Sequence, residues 1–481
     1  MKRIVIVGGG ISGLAAANRV VEVARDRRET VAVTVMEGSS RLGGSIQSET
    51  RDAFLIERGA DSFLSEKPEA VSLAQRLGLE DNLIQTNKEH RRTFIVRNGR
   101  LTPVPAGFHL LAPSLLWPFI NSGILSFAGK ARMALDLLLP RKDSTSADVS
   151  LAEFTRRRLG QEVLERIAQP MIGGIYLADP EKLSLRATMP RFLEFEHQHG
   201  SVIRGILKQG VHREARNEKT DGGARYSLFL SFDRGMQCLT DRLADKINAS
   251  GFGSIQLNTR VTSLELIEAS ADEPAKWIVR NDRNETLDAD ALCLALPSFI
   301  SAQLLQDVDK SLADQLREIP YTSSAVVNLA YRSEHIPHAL AGFGFVVPFV
   351  EKRSLIACTF SSVKFSGRAP DGCVLLRAFL GGALQPELAT FEDSRLLSFV
   401  RTDLRDLLGI EREPLFADVM RWPNSMPQYH VGHLDRVERI EECVGSLPAL
   451  ALAGNAYRGV GIPDCIGSGE TAADQLLNTL K

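Results

Sequence analysis

Ile4-Val5-Ile6-Val7-Gly8-Gly9-Gly10-Ile11-Ser12-Gly13 runs from a short β-branched segment straight into a glycine turn, and Leu14 to Arg25 continues as an alanine-rich helical stretch. Val31 to Met36 then alternates like a second strand and ends at Glu37. Strand, glycine turn, helix, strand is the order of a βαβ unit, which predicts an α/β protein with a parallel sheet. Gly8, Gly10 and Gly13 fit the spacing G-x-G-x-x-G. In that pattern the first glycine permits the tight turn, the second lets the backbone approach a pyrophosphate, and the third lets helix and strand pack closely. Gly9, Ile11 and Ser12 fill the positions between, at a helix N-terminus whose partial positive charge suits phosphate. Glu37 follows Gly13 by about 24 residues, where a carboxylate accepts hydrogen bonds from ribose hydroxyls and disfavours a 2′-phosphate.

A chain of 481 residues is too long for one ordinary core and predicts two or three intertwined domains. Hydrophobic residues at 44% and charged ones at 24% describe a folded protein with room for a large core. The net charge is −2 and the basic residues are scattered, which removes nucleic acid as a partner. Six cysteines lie far apart with no C-x-x-C pair, so neither a disulfide framework nor a zinc knuckle is written here. The close pairs His197/His199, His335/His338 and His430/His433 have no accompanying ligand pattern, and no metal is predicted. Met1-Lys2-Arg3 leads directly into the first strand without a cleavable signal, predicting a cytoplasmic location. No apolar window reaches the ~18 residues of a spanning helix.

Further along, Glu66 to Glu80 reads as a helix stopped at Gly78, and Phe94 to Val104 as a hairpin turning at Asn98-Gly99. Between Pro105 and Gly129 the composition becomes apolar, with Trp117, Phe119, Ile120, Ile124, Leu125 and Phe127 and no charge among them, while Pro113 and Pro118 break any straight helix. This stretch is either a membrane-interface surface or a buried helical pair. Residues 141–160 begin as a solvated connection before a helix around Leu151 to Leu159, and 209–225 read as a loop. After Gly253 strands return: Ser254 to Leu257, Arg260 to Leu266, Trp277 to Asn281 and Ala291 to Leu296.

Arg41-Leu42-Gly43-Gly44, directly after Glu37-Gly38, resembles the glycine-rich extension of the FAD family that includes amine oxidases, phytoene-type desaturases and protoporphyrinogen oxidases. Glu57-Arg58-Gly59-Ala60-Asp61-Ser62 is similar to that family's next segment, a loop beside the isoalloxazine. Ala451 to Asn455 followed by Tyr457-Arg458-Gly459-Val460-Gly461-Ile462 and a helix from about Cys465 to Leu480 resembles its C-terminal flavin loop. The resemblance implies FAD as cofactor, held at Gly8 to Gly13, Glu37, Gly38, Arg41, Gly43, Gly44, Gly59 to Ser62, Val261, Asn455, Val460, Gly461 and Ile462. It also implies a glutathione-reductase-type FAD domain assembled from 1–60, 225–300 and 415–481. A β-rich substrate domain would come from 61–84 and 301–414, and an α-helical, membrane-associating domain from 85–205.

Gly173-Gly174-Ile175-Tyr176-Leu177-Ala178-Asp179-Pro180, Gly342 to Pro348 and Asn455 to Ile466 narrow the resemblance to porphyrinogen oxidases. That family oxidises a porphyrinogen to the porphyrin on FAD, with oxygen as acceptor and peroxide as product. By position, Gly174, Phe343 and Val346 would line the tetrapyrrole slot, and Arg92, flanked by Arg91 and Arg97, would meet a propionate, since a carboxylate suits an Arg fork and a flat macrocycle suits apolar walls. The resemblance implies protoporphyrinogen IX as substrate, with coproporphyrinogen III as the alternative: eukaryotic relatives carry a basic residue where Gly59-Ala60-Asp61-Ser62 has none, so this stretch resembles bacterial members, some of which act on coproporphyrinogen III. No acid or base is assigned, because hydride loss to a flavin needs orientation and exclusion of water more than a proton acceptor. The family also implies a membrane surface on the cytoplasmic side and the next haem-pathway enzyme as partners; oligomeric state stays open. Two rivals share the fold: a flavin amine oxidase, with Trp422 and Tyr457 as an aromatic cage, and a Rab GDP-dissociation inhibitor, without redox chemistry.

Overall fold

The computed structural model describes residues 1–105, 108–109, 112–113, 116–141, 148–215, 228–271 and 274–480, without side chains at 108, 109, 112, 113, 116 and 209–215. Among the described residues the βαβ unit appears as expected, with strand Lys2–Val7, helix Ile11–Arg27 and strand Val31–Met36. The sheet is completed from far along the chain, in the order Gly253–Gln256, Val31–Met36, Lys2–Val7, Ala291–Leu294, Leu450–Leu452, with every pairing parallel. Side chains alternate across a strand. Ile4 and Ile6 therefore face the helices Ile11–Arg27, Gln237–Ala249 and Ile462–Thr479, while Val5 and Val7 face an opposite core containing Trp277, Leu312 and Ile440. That second core includes the antiparallel meander Val261–Ile267, Lys276–Asn281, Thr286–Ala289.

A larger sheet of seven strands runs in the order Phe416–Pro427, Tyr321–Arg332, Cys373–Gly381, Ala357–Phe360, Gly344–Val346, Thr93–Arg97, Arg100–Pro103. The hairpin at Asn98-Gly99 thus belongs to this sheet rather than to the helical section in which it was expected. Phe416–Pro427 is likewise its outer strand and not part of the parallel sheet. Both corrections have one cause: cross-strand hydrogen bonding between distant segments decides membership, and chain position does not. The face carrying Phe345, Leu376, Leu380 and Leu329 packs on helix Asp393–Leu408. The register puts Val346, Ala357 and Phe379 side by side on the other face, next to Arg377, Asn328 and Asp418.

A third core is helical, built from Leu151–Arg158, Gln169–Tyr176, Pro190–His199 and Val202–Ala215. Residues 209–215 continue that last helix, correcting the expected loop, while 216–225 lie outside the described residues. Arg158 and Asp136, both fully buried, tie the section together. Arg158 also donates to the carbonyls of Pro140 and Gly200, and Asp136 accepts from Ser201 and the Ile203 amide. Of the apolar stretch, Phe119, Ile124 and Leu125 are buried whereas Trp117, Ile120 and Phe127 are exposed, Phe127 to 89%; the side chains of 106–116 lie outside the described residues. No described helix is long and apolar enough to cross a membrane.

The first and last helices touch backbone to backbone: a Cβ on Gly469 would stand 2.1 Å from the Ser12 carbonyl oxygen. Gly469→Ala is expected to cost about 1–3 kcal/mol through overpacking, read as a lowered urea midpoint, whereas Gly445→Ala, with nothing within 4 Å, stays within about 0.5 kcal/mol of the parent. Arg158→Met strands the Asp136 carboxylate and is expected to cost about 3–5 kcal/mol, measured in the same assay.

Candidate functional site

The turn between the first strand and helix is fixed by packing on one side and open on the other. Gly8 has φ +111° and donates to the Met36 carbonyl at 2.9 Å. A Cβ on Gly13 would lie 1.9 Å from the Gly8 carbonyl oxygen, so the third glycine is there for helix-to-strand approach. Gly10 has no neighbour nearer than 3.9 Å on its Cβ side, and Gly454 none nearer than 4.0 Å. The helix that starts at Ile11 has no side-chain cap, leaving its first amides for a ligand. Glu37 is held ready at the strand end: its Oε2 accepts from the Gly9 amide at 2.7 Å and its Oε1 from the Ser39 amide at 2.8 Å. Val261 is brought to the same corner, because Arg260 packs on Gly38 and the Thr259 amide donates to the Glu37 carbonyl.

A second glycine turn faces the first. The Gly43 amide donates to the Gly9 carbonyl at 2.9 Å. Arg41 shapes this turn by donating to the carbonyls of Leu42 at 3.1 Å, Ile46 at 3.2 Å and Gly44 at 2.5 Å, and burial lowers its pKa. The next loop, Gly59 to Ser62, presses on the turn so closely that a Cβ on Gly59 would be 1.6 Å from the Ser45 carbonyl oxygen. Its acidic member is heavily compensated: Lys364 Nζ lies 3.0 Å from both Asp61 Oδ2 and Ser62 Oγ, and Arg377 Nη1 lies 3.7 Å from Asp61. Burial works to raise the Asp61 pKa, but these two cations overcome it and hold the carboxyl well below its usual range. The positive charge absent from the loop sequence is therefore supplied by a short helix and a strand more than 300 residues away.

At the C-terminal end, Asn455, Val460, Gly461 and Ile462 arrive on a loop anchored by a residue that the motifs did not announce. Tyr429 Oη donates to the Asn455 carbonyl at 2.6 Å and accepts from the Gly459 amide at 2.8 Å. Its ring stacks on buried His433 at 3.9 Å, and His433 Nε2 donates to the Tyr457 carbonyl at 2.8 Å. The segment reaches the helical section too, since Gln428 Nε2 donates to the Tyr176 carbonyl at 3.0 Å and the Ser184 amide to the Tyr429 carbonyl at 2.8 Å. The last helix begins at Ile462, earlier than expected, and its Asp464 accepts from the Gly461 amide at 3.2 Å while pairing with Lys67. The sequence signal that could have found this anchor is the spacing of Tyr429 and His433, four residues apart, which the motif reading passed over.

Of the expected substrate wall, Gly174 and Val346 meet, 4.0 Å apart from a Cβ on Gly174. Val346, Tyr176 and Val460 pack into one apolar cluster with Tyr429. Phe343 is joined instead to Arg92, donating its amide to the Arg92 carbonyl at 2.7 Å, and the Arg92 side chain is exposed. Trp422 and Tyr457 do not form a cage: Trp422 Nε1 donates to the Arg58 carbonyl at 2.8 Å, while the Tyr457 ring is buried beneath the parallel sheet. Two facing glycine turns, an uncapped helix start, a preset carboxylate and a buried Gly59 whose amide finds no acceptor among the described residues together fit an extended dinucleotide carrying a flavin.

Tyr429→Phe keeps the stack but removes both anchoring bonds, and is expected to weaken FAD binding about tenfold, measured by titrating apoprotein. Burial pushes the His433 imidazole down to about 4, against a lift from the Tyr457 carbonyl. A depressed folded pKa means the unfolded chain binds the proton more readily, so the contribution is complete above about 6.5 and is lost as pH falls toward 4, by on the order of 3 kcal/mol. Urea midpoints between pH 7.5 and 4.5 are expected to show that loss, and His433→Gln to flatten it.

Comparison with known proteins agrees along the full length. The chain is 34% identical to coproporphyrinogen III oxidase of Bacillus subtilis (strain 168), covering 100% of this chain and 98% of the relative. It is 33% identical to coproporphyrinogen III oxidase of Staphylococcus aureus, with 100% of both covered, and 30% identical to protoporphyrinogen oxidase 2 of Arabidopsis thaliana, with 100% and 94% covered. A crystal structure from Exiguobacterium sp. 255-15 matches with a TM-score of 0.84 at 31% identity over 99% of both chains. Putrescine oxidase bound to putrescine matches with a TM-score of 0.67 at 15% identity, sharing the fold. With the flavin containing amine oxidoreductase pattern matched from residue 11 to residue 477, the chain belongs to that family.

Proposed function

We propose that the chain is an FAD-dependent oxidase that converts a porphyrinogen to its porphyrin in haem biosynthesis. The observation that carries this reading is that the Gly174-side wall (Tyr176, Val346) and Val460 of the C-terminal loop all pack against one helical apolar core that includes Tyr429. A flat macrocycle needs apolar walls that end on the redox centre. The FAD-binding part would be drawn from 1–60, 225–300 and 428–481, and the substrate would lie between it, the seven-stranded sheet and helix Gln169–Tyr176. Bound FAD supplies the two-electron acceptor. The chain's own residues bind and orient: Glu37 takes the ribose, the amides from Gly10 to Ser12 the pyrophosphate, and the loops at Gly59 to Ser62 and Gly459 to Ile462 the ring. Gly174, Val346 and Phe343 would hold the tetrapyrrole, and Arg92 a propionate. Three rounds remove six hydrogens, and three O2 leave as H2O2.

Two porphyrinogens compete. Protoporphyrinogen IX is one reading, supported by relatives at 29–30% identity such as the plant enzymes. Coproporphyrinogen III is favoured by the 33–35% identity of the bacterial relatives that carry its name. The amine-oxidase alternative loses its cage, because Trp422 and Tyr457 are directed into separate parts of the structure. Exposed Trp117, Ile120, Phe127 and Leu138 support peripheral contact of the helical section with a cytoplasmic membrane face.

The deciding test presents each porphyrinogen, prepared anaerobically, to aerated FAD-loaded protein and follows porphyrin fluorescence and peroxide. Three peroxides per porphyrin are expected, with the larger kcat/KM on coproporphyrinogen III. The reverse preference selects protoporphyrinogen IX, and turnover of neither removes the porphyrinogen reading.

A further inference from the structure

Three consecutive carbonyls in the loop that approaches the proposed flavin are each held by a side chain of the seven-stranded sheet. Glu57 accepts from Asn328 Nδ2 at 3.3 Å, Arg58 from Trp422 Nε1 at 2.8 Å, and Gly59 from Arg377 Nη2. Asn328 and Arg377 face each other across paired strands, and both are buried. The strand ends at Glu57 and the chain bends at Arg58-Gly59, yet the Glu57 and Gly59 carbonyls both point toward this pair. A trans peptide sets each N–H opposite its carbonyl. The Arg58 amide, opposite the Glu57 carbonyl, is accordingly used by Gln47, donating to its carbonyl at 2.8 Å. The Ala60 amide, opposite the Gly59 carbonyl, is likewise turned away from the pair but has no acceptor among the described residues. It belongs to the loop that packs on the Gly43–Ile46 turn, beyond the end of the ladder between Ser48–Arg51 and Phe54–Glu57.

Stability alone does not account for the pair. Burying a guanidinium is costly, and Arg377 Nε and Asn328 Oδ1 remain without partners among the described residues. An apolar pair of similar size would suit the sheet better. We propose that Asn328 and Arg377 are positioning residues that lock the 57–60 peptide planes and so aim the Ala60 amide at the polar edge of the flavin ring, where a fixed donor favours the reduced, more negative form. This rests on the FAD reading above and adds to it the groups that set how readily the ring accepts electrons.

The test measures FAD content, then the flavin midpoint potential, in the wild type and in Asn328→Ala, Arg377→Met and Lys364→Met, with amide exchange at Ala60 followed as apoprotein is loaded with FAD. Asn328→Ala and Arg377→Met are expected to retain FAD but to lose about tenfold in the reduction equilibrium, a shift of about 30 mV to more negative potential for a two-electron couple, and to lose the exchange protection that FAD confers at Ala60. Lys364→Met removes a cation from Asp61 without releasing a carbonyl, and its shift is expected to be smaller. An unmoved potential in FAD-bearing Asn328→Ala overturns the proposal even where Arg377→Met does not fold. So does an equal shift in Lys364→Met, which would assign the effect to charge. A wild type that binds no flavin overturns the FAD reading and this proposal with it, at the first measurement.

Discussion

Backbone against backbone is the constraint on which the site depends. At Gly13 and Gly59, a side-chain carbon would fall 1.9 Å and 1.6 Å from a carbonyl oxygen of a neighbouring segment. Only glycine tolerates such approach. The first contact seats the helix Ile11–Arg27 on its strand and leaves the amides of its first turn at the open side of Gly10. The second lays the 57–62 loop on the Gly43–Ile46 turn, fixing how far the sheet side chains must reach to hold it. Glu37, Arg41 and Asp61 take their positions from these two contacts, and their hydrogen bonds then stiffen what the packing has placed.

Local pattern was enough to read the half of the site built from contiguous motifs. The β-branched run, the glycine spacing and the carboxylate after the second strand each encode a conformation within a few residues, and the structure carries them where the spacing put them. The glycine-rich loops at 43–44 and 455–462 were equally visible, since small residues in series announce close approach. The residues that hold those loops were not. Tyr429, Asn328, Arg377 and Lys364 act across separations in sequence that no periodicity marks, and their types are ordinary on a strand or a turn. Trp422 was legible as an aromatic near the site but not as a donor to a backbone carbonyl, because that role exists only once the strand Phe416–Pro427 joins the large sheet.

The same limit explains the shifted boundaries. Thr93–Arg97 follows the N-terminal domain in sequence but hydrogen-bonds to Gly344–Val346, and Arg100–Pro103 pairs with Thr93–Arg97 in turn, so a segment assigned by neighbourhood belongs by pairing to the seven-stranded sheet. The apolar stretch that suggested either a surface or a core turned out to divide: one set of side chains, Phe119, Ile124 and Leu125, goes inward and another, Trp117, Ile120 and Phe127, outward. Hydrophobicity counts residues without saying on which side of a short, proline-broken helix each one falls.

The parallel sheet takes its first strand from Lys2–Val7 and its last from Leu450–Leu452, and the helix packed on the first helix is Ile462–Thr479. During synthesis at about 5–20 residues per second, the glycine turn waits roughly 20 to 90 s for the strand and helix that complete it. Cofactor capture is thereby tied to the late segments: a chain that stops before Leu450 carries an intact N-terminal fingerprint yet lacks the strand and helix that complete its sheet and cover its first helix. Truncation ahead of Leu450 should act on this protein as a defect of cofactor loading rather than of catalysis.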